Sequence, residues 1–134
     1  MTHITLYRAT DRSYAEQGDC LTPDRAAATA YTANPGFGGR QLYHARVTVD
    51  SDRVLDLRAD TEREQMSALA DAIGRDVADL AGYGAHVHDA WERSASVMET
   101  LAARWTWVRY ADDYPEGAET WLYLGADDID LDEV

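Results

Sequence analysis

The sequence predicts an α+β fold with a split, mostly antiparallel mixed sheet and a helical insert. Short runs rich in β-formers alternate apolar and polar residues toward both ends of the chain. Between them, residues 62–103 carry apolar positions at helical spacing. The order is strand, short helix, two strands, helices, two strands, which is not the regular alternation of a doubly wound sheet. With 134 residues, a single domain spanning 1–134 is expected. Apolar residues at 46% and charged residues at 28% are an ordinary globular balance, which excludes disorder throughout.

Each element has a local reason. Ile4–Ala9 alternates and ends near Arg8. Gly18-Asp19 makes a turn. Leu21-Thr22-Pro23-Asp24 reads as a helix start, with Thr22 as N-cap and Pro23 at the first helical position. Ala27, Ala30 and Tyr31 share one face of that helix, which Asn34-Pro35-Gly36 stops. In Leu42–Val49, Tyr43, Ala45, Val47 and Val49 fall on one face. Arg53–Leu57 is a second, shorter strand. Met66, Leu69, Ala70, Ile73, Val77 and Leu80 mark a helix that Gly74 interrupts. A further helix is expected from His86 to Ala103, burying Val87, Trp91, Met98, Leu101 and Ala102. Trp105–Tyr110 and Glu119–Leu124 return to strand around the acidic loop 111–118. The tail 127–134, with five acidic residues in eight, is expected to fray.

The chain has 12 Lys+Arg, all of them arginine, against 25 Asp+Glu, a net charge of −13. A field of this sign repels phosphate backbones, which argues against a broad nucleic-acid-binding surface. It would attract a basic protein partner. No run of about 18 apolar residues offers a membrane span, and no secretory leader is visible. The single Cys20 excludes an internal disulfide framework and makes the cytosol the simplest address.

Several chemistries are unsupported. His86 and His88 are two apart, a spacing that points side chains apart on a helix, so no metal site is expected. No Gly-x-Ser-x-Gly occurs. Gly36-Phe37-Gly38-Gly39 lacks the Lys-Ser/Thr of a phosphate loop and precedes a strand. Cys20 reads as a small buried residue.

What remains is a series of segments: Leu6-Tyr7-Arg8-Ala9-Thr10; Leu21-Thr22-Pro23-Asp24 leading to Ala27 and Tyr31; Phe37-Gly38-Gly39; Leu42-Tyr43-x-Ala45-x-Val47; Val54–Leu57; and Gly117-Ala118-Glu119-Thr120-Trp121. Their order and spacing resemble the ADP-ribosyltransferase superfamily over residues 4–131. They look most like small phage-type members of the anti-CRISPR kind. Ala9 stands where that family usually has Gly. The Glu-x-Glu of arginine-specific members is absent, because Glu116 lies three residues before Glu119. The resemblance implies NAD as co-substrate, no metal, and a macromolecular acceptor, a protein first of all. It implies that Glu119 is catalytic, that Arg8, Thr22, Tyr31 and Phe37 hold NAD, and that Asp113 and Glu116 meet the acceptor. Cleaving the nicotinamide–ribose bond builds positive charge on the ribose, which a nearby carboxylate stabilises. Two other readings stay open: an NAD glycohydrolase using the same residues, and a non-catalytic acidic decoy for a basic partner.

Overall fold

The alternation in the first and fourth strands produces one long ladder. β1 (Thr2–Thr10) and β4 (Gln41–Val49) pair antiparallel throughout, from Thr2 opposite Val49 to Thr10 opposite Gln41. The computed structural model of the chain describes residues 1–32, 41–113 and 115–134. Leu6, Ala45 and Val49 are buried on the inner face, with Ile4, Tyr43 and Val47 packed against the same cluster. The period of two places that face as expected.

A second sheet contains, in spatial order, β3 (Cys20–Leu21), β7 (Glu119–Tyr123), β6 (Trp107–Ala111) and β5 (Val54–Asp56). Its pairs are antiparallel except for parallel β5 and β6. Tyr7 and Thr22 exchange backbone hydrogen bonds of 2.7 and 2.9 Å, which stitches β1 to the end of β3. Alternate residues of the second sheet serve two cores. Trp107, Trp121 and Tyr123 pack toward Leu6 and Leu21, while Val108, Tyr110 and Leu122 pack toward the helices.

Those helices are α2 (Glu62–Ile73), α3 (Val77–Ala81), α4 (Val87–Arg93) and α5 (Ala95–Arg104). They bury Met66, Leu69, Leu80, Val87, Trp91 and Leu101 against one side of the sheet. Each such side chain contributes roughly 1.5–3 kcal/mol of transfer free energy. The molecule is therefore an α+β protein of mainly antiparallel strands, with the helices to one side.

Four expectations need correction. The helix from 86 to 103 is two helices, because Ser94 leaves helical geometry (φ −130°, ψ 110°) and its hydroxyl accepts the Val97 N–H. Val97 joins Leu101 as a fully buried residue of α5, while Met98 is only partly buried against the same core. Thr22 is not the N-cap of α1 (Arg25–Thr32). It is held in the bridge to Tyr7, so Asp24 caps instead, accepting the N–H groups of Ala26 and Ala27 at 3.0 and 3.3 Å. Nor is the tail frayed. β8 (Ile129–Asp130) pairs with β2 (Tyr14–Ala15), and β9 (Asp132–Glu133) pairs with β4 at Tyr43 and His44. The acidic count concealed an alternation that buries Leu131 and packs Ile129.

Gly74 ends α2 in the left-handed region at φ 68°, as its position suggested. Gly84 has a different constraint. Its φ is +153°, and a Cβ there would overlap the Asp89 carboxylate. That carboxylate accepts the His86 N–H at 3.1 Å and so starts α4. Gly84→Ala is expected to cost about 1–3 kcal/mol through strain and loss of the cap. The urea midpoint checks this, and an unchanged midpoint contradicts it.

Candidate active site

β1, the segment from β3 into α1, and β7 enclose a cleft of about 120 Å³. Arg8, Thr22 and Tyr31, separated in sequence, all line it. So do Cys20, Asp112 and Thr120, which sequence reasoning did not select. Arg8 is fixed by two bonds: Nη1 donates to the Cys20 carbonyl at 2.7 Å and Nη2 to Asp19 Oδ1 at 3.3 Å. Arg12 Nη2 holds the other Asp19 oxygen at 2.7 Å. Arg8 Nε is buried with no hydrogen-bond partner among the described residues. Thr22 Oγ1 donates to the Glu119 carbonyl at 2.6 Å and accepts the Asp24 N–H at 3.1 Å. Its hydroxyl thus ties the cleft wall together.

Asp112 follows Val108 and Tyr110 at a period of two, which turns it to the helix-facing side of the sheet. Its Oδ2 accepts the Thr120 hydroxyl at 3.3 Å, and Oδ1 accepts the Asp113 N–H at 2.8 Å. Burial, followed by the neighbouring Asp113, pushes the Asp112 carboxyl up to about 6. An inward period ending in a carboxylate was the sequence signal for this residue. Cys20 Sγ lies 3.5 Å from Tyr110 Oη. Burial pushes its thiol up to about 11, so it stays protonated at neutral pH and is a poor nucleophile.

Glu119 opens β7, but its carboxylate is engaged elsewhere. Oε1 accepts from Arg58 Nη1 at 2.6 Å and Arg109 Nη2 at 2.9 Å, and Oε2 accepts the Trp121 indole at 2.8 Å. Arg58 also binds both oxygens of Asp56, at 3.0 and 2.8 Å. The Arg109 guanidinium lies 4.8 Å from the Trp121 ring centre. Burial alone would raise Glu119, but the Trp121 and Arg109 bonds and the two arginine charges hold it below its ordinary range. Bonds from Arg58 do the same for Asp56. Both carboxyls are lowered by folding. Their stabilisation is therefore present above the ordinary carboxyl range and lost as pH falls through the lowered values. Glu119→Gln should be less stable than the parent at neutral pH, with the gap closing below about pH 4. Urea unfolding across that range checks this; a pH-independent gap contradicts it.

Phe37 lies outside the described residues. Asp113 and Glu116 line a neighbouring depression of about 380 Å³, and Asp112 borders both spaces. Asp113 also faces two imidazoles: His88 Nε2 is 2.9 Å from Oδ1 and His86 Nε2 is 3.5 Å from Oδ2. The spacing argument against a histidine pair fails here. His86 precedes α4 in extended geometry (φ −97°, ψ 146°), so it does not point away from His88 as a helical neighbour would. The two rings stack at 5.4 Å with 9° between planes. Burial opposes protonation of His88, but hydrogen bonds to Asp113 and Glu92 outweigh it and raise the imidazole.

No protein-family model, curated protein or solved structure matches this chain. The residues themselves carry the chemistry. The cleft joins a fixed guanidinium, hydroxyls, an aromatic side chain and a half-buried carboxylate, a set able to hold an anionic, hydroxylated ligand and stabilise positive charge on it. Among the described residues no helix is long and apolar enough to cross a membrane.

Proposed function

We propose that the chain is an NAD-dependent mono-ADP-ribosyltransferase whose donor site is this cleft. One observation carries the reading: Arg8, Thr22 and Tyr31 line a single cleft together with the carboxylate of Asp112. The fit is partial and specific. At about 120 Å³ the cleft is smaller than the roughly 300–1,000 Å³ of pockets that enclose a whole small molecule. Its described walls suit the nicotinamide–ribose end of NAD, with the rest of the dinucleotide extending outward.

In this reading the carboxylate beside the ribose is Asp112 and not Glu119. With a carboxyl near 6 it is mostly ionised at neutral pH and can stabilise the charge that develops as nicotinamide leaves. Arg8, held by Cys20 and Asp19, presents its guanidinium to a ribose or phosphate oxygen without rearranging. Glu119 has a positioning role, because its carbonyl anchors Thr22. The depression beyond Asp112, with Asp113 and Glu116, is suited to a cationic acceptor group on a protein. Donor and acceptor would then meet at Asp112, which favours transfer over hydrolysis.

The test is incubation with NAD labelled on its adenosine side, together with an arginine-rich protein. Nicotinamide release with label on the protein is expected. Release without transfer indicates the glycohydrolase. Salt-sensitive binding of the basic protein without release indicates an acidic binding protein. Arg8→Ala should weaken NAD binding by at least ~1.5 kcal/mol, the scale of one charge-assisted bond. Unchanged calorimetric affinity in a folded variant removes Arg8 from the site.

A further inference from the structure

We propose that His86, His88 and Asp113 bind a divalent transition-metal ion of the zinc class, clasping the loop after β6 to the start of α4. The three residues each offer a donor atom, and these atoms lie within 4.8 Å of one another. Modest closure brings them onto one ion at the usual bond lengths of about 2.0–2.2 Å. The donors come from two separate segments, so the fold and not local sequence assembles them.

The groups behind the imidazoles point the same way. His88 Nδ1 is 3.1 Å from Glu92 Oε2. His86 Nδ1 is buried without a hydrogen bond among the described residues and lies 3.5 Å from Glu62 Oε1. A carboxylate hydrogen-bonded to Nδ1, as Glu92 is for His88, turns the Nε2 lone pair toward a metal, the usual support for a metal-bound histidine. Both Nε2 atoms face Asp113.

Glu62 and Glu92 behind the rings and Asp113 in front of them would surround the positive charge of the ion. The −13 field of the chain adds to the attraction. Two imidazoles and one carboxylate select zinc-class ions over magnesium or calcium, which prefer all-oxygen shells. Three protein donors leave one coordination position open. The overlapping set of His88, Asp89 and Glu92 is the weaker alternative, because Asp89 already caps the His86 N–H.

The site shares Asp113 with the depression given above to the acceptor, but its test does not use NAD and stands apart from any transferase activity. The chelator-stripped full chain is titrated with Co²⁺, followed by visible absorption, and the Co²⁺ is then displaced with Zn²⁺. One ion per chain with tetrahedral-type absorption is expected. His88→Ala and Asp113→Asn should each weaken binding at least tenfold, and Glu92→Gln by about 10–100-fold. His44→Ala, on β4, should bind as the parent does. Asp113 lies in the loop, so Asp113→Asn tests the site even where His88→Ala disturbs α4. Absence of saturable binding overturns the proposal. So does binding that Asp113→Asn and His88→Ala leave unchanged.

Discussion

Asp112→Asn is expected to slow nicotinamide release by on the order of 10²–10³, about 3–4 kcal/mol of transition-state stabilisation. The asparagine keeps the shape and one of the two accepted bonds but removes the charge. Stabilisation of charge that develops only during bond cleavage should appear in kcat, with KM for NAD little changed. Glu119→Gln provides the contrast. Its carboxylate is committed to Arg58, Arg109 and Trp121, so its loss should lower stability more than turnover. The two variants measured side by side decide between the faces of β7. If Glu119→Gln loses turnover and Asp112→Asn keeps it, the reacting sugar lies on the other side of the strand. If both keep it, neither carboxylate is the stabiliser.

Gln65→Ala should cost about 3–5 kcal/mol of folding stability. Gln65 is 1% exposed, although it sits on a helix among apolar residues. Beyond the Leu57 N–H bond to the Arg109 carbonyl, the chain turns away toward α2 and leaves the outer edge of β6 open at Ala111. The Gln65 amide completes that edge. Its Oε1 accepts the Ala111 N–H at 2.7 Å, and its Nε2 donates to the Ala111 carbonyl at 3.1 Å. Removing it strands two backbone groups, each costing about 1–3 kcal/mol when buried and unpaired. The urea midpoint should fall with an unchanged slope. A loss below about 1 kcal/mol would mean that water replaces the amide. Because Ala111 directly precedes Asp112, the same amide fixes the cleft carboxylate from behind.

These residues show how far a sequence can be read. The strand faces of Leu42–Val49 and the helical face of Met66, Leu69 and Ile73 were legible because periodic burial is written locally. The break at Ser94 was not, because no Gly or Pro marks it and a serine is tolerated in helices until its hydroxyl finds a cap. Arg8, Thr22 and Tyr31 were legible as a set through their order along the chain. The direction of the Glu119 carboxylate was not, since it depends on Arg58 arriving from the segment after β5 and Arg109 from β6. The stacking of His86 on His88 was hidden for a related reason: spacing arguments assume an element, and His86 stands one residue outside it.

The strands at 129–133 have a consequence for how the molecule forms. β8 pairs with residues 14–15 and β9 with residues 43–44, both far back along the chain. Contacts between such distant segments require closing very large loops before any stabilisation is gained, which slows folding. During synthesis the helices can form on the emerging chain, while β2 and the outer edge of β4 wait for partners made much later. Until then the paired face of β4 is open to other chains. The short acidic strand that finally covers it brings Asp132 and Glu133, whose charges discourage a second copy from pairing there.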